Sequence, residues 1–318
     1  MNTDVPLVSI GVPTYNRPEG LRAALQCLLR QTYPNLEIIV SDNCSTNAEV
    51  EPLMQEMIKL DPRIRYYRQS QNIGAISNFK FVFRKATGKY FLWAADDDLC
   101  EDAFIEKLVG CMESHPEIVL CATDVKSIDE NNNPGKDRSL ESIRLSADWN
   151  HSRELFFRYP TSEIFFSIYG LFKTEVLRRC DIGLITGWKG MLTNGEVPFL
   201  AQVATHGRIA SIPEALKIFR WHSSSTYHQE IDKNKGFDAM MLRMVIRLKL
   251  VKVALLDAKP LDVKLSSLRI IVKTFLESEQ IGRTIWLNIK RITRKCLPDV
   301  LVMKIKIYTK KIFHKWRI

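Results

Sequence analysis

The sequence contains no uninterrupted apolar run of 18 residues. A helix needs about 20 such residues to cross a bilayer, so no spanning helix is expected. The first residues, Met1-Asn2-Thr3-Asp4-Val5-Pro6, carry neither a basic stretch nor a long apolar one, and no secretory leader is expected there. No C-x-x-C pair occurs. The cysteines (Cys27, Cys44, Cys100, Cys111, Cys121, Cys180 and Cys296) are odd in number and widely spaced. That pattern speaks against a disulfide framework and for reduced, mostly packed thiols in a cytoplasmic protein. Cys111, His115 and Cys121 could in principle meet a metal, but their spacing fits no usual zinc pattern. Internal repeats and low-complexity tracts are also missing. What is present is an ordinary globular composition: 318 residues, 46% hydrophobic and 26% charged, enough for one large domain or two small ones with a real core.

Charge is unevenly placed. The net charge is +10, yet residues 287–318 hold ten Lys or Arg against one acid, Asp299. That segment is therefore +9, and everything before it is close to neutral at +1. Such asymmetry points to an anionic surface, membrane or nucleic acid, as a partner of the tail. The tail is also amphipathic. Ile285, Ile289, Ile292 and Cys296 recur at helical spacing, and Leu301, Ile305, Tyr308 and Ile312 repeat the pattern. A helix lying on an anionic membrane fits this, as does a packing helix with a solvated basic face.

Before the tail, strand-like and helix-like segments alternate. Leu7–Thr14, Leu36–Val40, Ile64–Tyr67, Tyr90–Ala94 and Ile118–Ala122 are short apolar runs. Between them, Glu19–Gln31, Val50–Leu60, Asn78–Ala86 and Phe104–Met112 show helical spacing. This alternation predicts an α/β fold with a largely parallel sheet flanked by helices. Residues 126–150 are polar and predict a connector, 183–195 a Gly-rich loop, Glu196–Thr205 a helix, and 236–318 mostly helix. In open sheets of this kind ligands bind beyond the carboxyl ends of the strands. Asp42 and the run Asp96-Asp97-Asp98 both follow strand ends, so they can meet across one crevice.

The acidic run is the most informative feature. Adjacent carboxylates repel by about 1 kcal/mol per pair in water and several times that near a protein surface. A hard divalent cation, Mg²⁺ or Mn²⁺, relieves the repulsion, typically taking one or two carboxylates together with substrate phosphates. The same acids would also suit the start of the helix at Glu101–Met112. Other motifs stand in order around the triplet: Val12-Pro13-Thr14-Tyr15-Asn16-Arg17, Val40-Ser41-Asp42-Asn43, Gln71-Asn72-Ile73-Gly74, and Arg220-Trp221-His222-Ser223.

This ordered set resembles glycosyltransferase family 2, inverting enzymes of the GT-A fold, over about residues 5–225. N-x-G-x-x-x-N (Asn72, Gly74, Asn78), A-T-G-K-Y and the triple Asp resemble the subset with abequosyltransferase-type O-antigen enzymes. The resemblance implies a GT-A domain over 1–230 and a helical basic region over 231–318. It implies transfer of a sugar, with inversion, from a nucleotide-sugar donor to a saccharide hydroxyl, the acceptor being lipid-linked and the enzyme peripheral at the inner face of the plasma membrane. Pro13, Tyr15 and Arg17 would lie along the nucleotide, and Asp42 would accept a hydrogen bond from the base. Asn72, Gly74 and Asn78 would shape the ribose side. Asp96 would hold ribose, and Asp97 and Asp98, with His222, the cation. Ala95 stands where the family often has its first Asp. Arg220 would pair with phosphate. Glu196 matches the first acid of the family's base-bearing pair and Val197 replaces the second, with Asp181 as a further candidate base. Tyr15 and Asp42 can equally be turn residues, and Glu196 a helix-start acid. A nucleotidyltransferase is the rival enzyme, but Gly11-Val12-Pro13-Thr14 is not a Gly-rich phosphate loop. A nucleic-acid-binding protein using the basic tail is the rival outside enzymes, and it leaves the acidic triplet unexplained.

Overall fold

A computed structural model describes residues 5–157, 164–186, 195–221, 237–258 and 261–277. His222 and the basic tail 287–318 lie outside the described residues. The chain divides into two compact units, Met1–Ile271 and Val272–Ile318, and the described part of the second ends with the helix Leu261–Glu277.

Within the first unit an eight-stranded mixed sheet forms the centre. In chain order its strands are β1 (Val8–Thr14), β2 (Leu36–Asp42), β3 (Ile64–Arg68), β4 (Tyr90–Trp93), β5 (Leu99–Cys100), β6 (Ile118–Asp129), β7 (Leu171–Lys173) and β8 (Arg208–Trp221). They lie side by side as β3-β2-β1-β4-β7-β6-β8-β5. The half β3-β2-β1-β4 is parallel, as the alternation of segments predicts. β1, β2 and β4 are buried at every residue, the signature of strands covered on both faces. The other half is mixed. β7 is antiparallel to β4 and β6, β6 and β8 run parallel, and β5 returns antiparallel on β8.

Helices α1 (Pro18–Leu29), α2 (Val50–Leu60), α3 (Ala75–Lys85) and α4 (Phe104–Ser114) connect the strands. Each has one apolar face; α1 opens on Pro18 and buries Leu21, Ala24, Leu25 and Leu28. α3 begins three residues earlier than its spacing suggests, because Gly74, at φ +80°, turns the chain into the helix. β6 continues to Asp129, into the stretch expected as a connector. Its polar end is held by pairing with β8 as far as Asp129 opposite Trp221. That partner lies some ninety residues away, so local composition does not reveal it.

The sheet separates two apolar layers. One contains Leu21, Leu25, Ile38, Phe104 and Leu108. The other is built around Trp93, whose ring meets Phe91, Phe172 and Phe199 edge-on at 4.9, 5.5 and 6.0 Å between centroids. Phe199 comes from α5 (Glu196–Ala204), against which the helix Phe237–Leu256 packs, burying Ile246, Leu250 and Val253. The six described cysteines are free thiols. Among the described residues no three His, Cys, Asp or Glu are assembled as a ready metal site, and Cys111, His115 and Cys121 are not one.

Candidate active site

The parallel half of the sheet brings its carboxyl ends to one edge. Thr14 pairs with Asp42 at the ends of β1 and β2, and Gly11 with Trp93 on β4, so the turn Ala94–Asp98 emerges beside them. α1 comes close behind this turn. A Cβ on Gly20 would stand 2.6 Å from the backbone oxygen of Asp96, so only glycine allows that approach.

The three acids have different surroundings. Asp96 is buried and accepts from Thr14 Oγ1 at 2.8 Å and from Arg17 at 3.2 Å. Burial first, and the charge of Asp97 second, push its carboxyl up to about 6, against the pull of Arg17. Asp97 pairs with the same guanidinium. Asp98 is buried, accepts from the backbone N–H of Arg220 at 3.0 Å, and lies 3.2 Å from the ammonium of Lys217. Arg17 therefore sits between Asp96 and Asp97 as a resident positive charge. Its own burial works against the proton, but the two acids outweigh that and hold it above its ordinary value.

Asp42, at the end of β2, has no exposed surface. One oxygen accepts from the Ser45 N–H at 2.8 Å, the other from Arg68 at 2.9 Å and from the Tyr66 hydroxyl at 3.2 Å. Tyr15 is 40% exposed at the mouth, whereas Pro13 is buried in β1. Asn72 accepts from the Gly74 N–H and from the Asn43 amide, both at 2.9 Å, which shapes the loop before α3. Asn78 is buried and spends both ends of its amide on Ser41, at 2.6 and 2.9 Å. Arg220 donates to the backbone oxygen of Asp97 at 3.2 Å and to Asn132 at 2.8 Å. Glu196 opens α5. The phenol of Tyr169 is pushed well above its ordinary value by burial, then by Asp98, Glu196, Asp97 and Asp96. Glu196 and the acidic turn are thus within electrostatic reach of one point. Asp181 instead caps a short helical turn, accepting from the Gly183 N–H at 2.8 Å.

Three contributors are not among the candidate site residues of the sequence. Asn16, at φ 58°, accepts from the backbone N–H groups of Thr46 and Asn47 at 2.7 and 3.0 Å, tying the loop after β1 to the loop after β2. Its place in a Tyr-Asn-Arg turn, where asparagine tolerates positive φ, is the only local hint. Arg68 and Lys217 are ordinary basic residues in strand patterns; only pairing across the fold puts them against Asp42 and Asp98.

Residues 9–180 match the profile of glycosyl transferase family 2. The chain belongs to that family. An uncharacterized glycosyltransferase of Haemophilus influenzae is 34% identical over 125 residues, covering 39% of this chain and 38% of the relative. A putative colanic acid biosynthesis glycosyl transferase of Escherichia coli, WcaA, is 40% identical over 94 residues, 29% of this chain and 33% of the relative. The matched part thus spans about a third of either relative. Among solved structures, Staphylococcus aureus TarS (1–349) with UDP-GlcNAc superposes with a TM-score of 0.64 at 16% identity, covering 87% of this chain and 74% of TarS. A mannosyltransferase of Pyrobaculum calidifontis with GDP-Man and Mn²⁺ superposes with a TM-score of 0.57 at 14% identity, covering 99% and 84%. The fold is therefore the GT-A type of a family 2 glycosyltransferase. Among the described residues no helix is long and apolar enough to cross a membrane.

Proposed function

We propose that this family 2 enzyme transfers a sugar from a nucleoside-diphosphate sugar to a saccharide hydroxyl with inversion, in the synthesis of a surface polysaccharide of the O-antigen or capsule kind. The observation that carries the reading is the acidic turn after β4, packed against Thr14 and Arg17 and beside the end of β2. A donor lying across these strand ends would set its base near Tyr15 and the Asp42–Arg68 pair and its diphosphate near the acids.

The residues fit a divalent cation. Asp96 and Asp97 crowd two carboxylates around one guanidinium, and Asp96 is held well above an ordinary carboxylate even so. Since no third ligand is assembled among the described residues, the cation would rest on one or two carboxylates and the donor's own phosphate oxygens. Mn²⁺ or Mg²⁺ held there, with Asp97 as the principal ligand, would neutralise charge on the leaving diphosphate. The Mn²⁺ and GDP-Man bound to the archaeal neighbour support this reading. Arg220, anchored on the backbone of the acidic turn, is suited to pair with phosphate. Glu196, at the start of its helix and close enough to Tyr169 to raise its phenol, would take the proton of the acceptor hydroxyl. The tail 287–318, and His222, extend the reading beyond the described residues: the tail would hold the enzyme on an anionic leaflet beside a lipid-linked acceptor.

The test is a screen of UDP-, GDP-, CDP- and dTDP-sugars for Mn²⁺-dependent thermal stabilisation, since a ligand bound only by the native state raises its stability. The stabilising donor is then incubated with acceptor, and the new anomeric configuration is read by NMR. Stabilisation by a donor that is insensitive to EDTA would remove the cation, and retention at the anomeric carbon would remove the single displacement.

A further inference from the structure

Lys217 is a buried cation that no motif explains. It lies on β8 opposite Cys100, two residues past Asp98, where β5 and β8 pair antiparallel. Its side chain is 9% exposed and that of Asp98 1%. The ammonium stands 3.2 Å from Asp98 Oδ2, off the line of a hydrogen bond, and 5.3 Å from the centre of the Tyr169 ring. The other oxygen of Asp98 is taken by the backbone of Arg220. Both contacts of Asp98 therefore run to β8, whereas Asp96 and Asp97 turn to Arg17 on the β1 side. Beside the pair lies a cavity of about 10 Å³, lined by Asp98, Lys217, Tyr169, Cys27 and Cys100 among others. That is room for about one water and not for a hydrated cation.

We infer that Lys217 is a positioning residue that divides the acidic triplet: it pins Asp98 to β8 as a structural anchor and leaves Asp97, held with Asp96 on Arg17, to meet the donor's cation. The inference rests on the cation reading proposed above. Its physical basis is that a buried carboxylate is tolerated only with a counter-charge, and a counter-charge on a different strand fixes the position of the turn that carries it. Arg220 is placed by the same anchor, because its N–H is the second partner of Asp98 and its guanidinium returns to the carbonyl of Asp97. Three adjacent acids thus do two jobs, set by which strand supplies the positive charge.

A thermal double-mutant cycle on the full chain tests the pin. Asp98→Asn and Lys217→Met each strand a buried partner and should lower the melting temperature. The double variant, with neither charge, should recover at least half of the summed loss. Additive losses overturn the pin. The division of labour is read by Mn²⁺ binding, followed through the paramagnetic resonance of free Mn²⁺ in the presence of UDP or GDP. The double variant should bind Mn²⁺ within about threefold of the unaltered protein, and Asp97→Asn about tenfold or more weakly, a gap set by loss of a first ligand against loss of none. A double variant as weak as Asp97→Asn makes Asp98 a ligand and overturns the inference. If the unaltered protein binds no Mn²⁺ with either nucleotide, the cation reading fails, and the inference, which assigns Asp97 to that cation, is overturned with it, even where the thermal cycle shows coupling between Asp98 and Lys217.

Discussion

At the scale of single residues, one side-chain type takes several roles according to its partners. Asp42 has no exposed surface and two strong partners, so it cannot act as a loosely held acceptor alone. Replacing it with Asn should weaken binding of the free nucleoside diphosphate by about 1–3 kcal/mol and should also lower stability, because the charge-assisted bond to Arg68 goes with it. Calorimetric titration well below the shifted melting temperature separates the two effects; unchanged affinity leaves Asp42 as the organiser of the Ser45 turn. Glu196 carries the opposite expectation. As the first residue of α5 its carboxylate complements the helix dipole, worth about 0.3–1 kcal/mol. Glu196→Gln should melt within a few degrees of the unaltered protein, retain donor binding, and lose about 10²- to 10⁴-fold in turnover. A small change in turnover would return Glu196 to a helix-start acid.

At the scale of elements, the approach of α1 to the acidic turn and the bracing of the opposite sheet end are separable. Gly20→Ala would drive a methyl into the carbonyl of Asp96, and backbone cannot step aside as a side chain can. The expected cost is about 1–3 kcal/mol in stability, with weaker nucleotide binding as the turn shifts. At the other end Glu37 on β2 accepts from Ser9 on β1 at 2.6 Å, from Arg65 on β3 at 2.7 Å and from the Thr87 N–H before β4 at 2.8 Å. Burial works to raise its carboxyl, but these donors outweigh it and hold the group below its ordinary value. A depressed carboxyl stabilises the fold at neutral pH, and that contribution is lost as pH falls through its folded value. Glu37→Gln should therefore cost about 1–3 kcal/mol near pH 7 and progressively less in acid, with donor binding unaffected. A deficit that is flat with pH would mean the amide loses shape rather than charge.

At the scale of the molecule, the +9 segment 287–318 stands against a body of +1. Basic residues close to an anionic leaflet contribute about 1 kcal/mol each, and salt screens them within about 10 Å at 0.1 M. The full chain should sediment with vesicles containing anionic lipid and be released by high salt. A chain ending at Leu287 should stay in the supernatant and still bind donor nucleotide. Equal partitioning of the two would make the tail a packing element. The parallel half of the sheet and its helices are legible from the alternation of apolar runs and amphipathic stretches, because the burial of β1, β2 and β4 on both faces is written in their own residues. The placing of Asp42 and the acidic triplet at one edge follows as well, since parallel strands put their carboxyl ends together. The long β6–β8 pairing is not legible, because a polar strand end is stable only beside its distant partner. Nor is the sorting of the three acids: Arg17 lies 79 residues from Asp96 and Lys217 lies 119 from Asp98 in the chain. Sequence alone determined that carboxylates gather at the strand ends. Only the tertiary structure decided which of them faces which cation, because the field at a buried charge depends on what the fold brings near it and not on its neighbours along the chain.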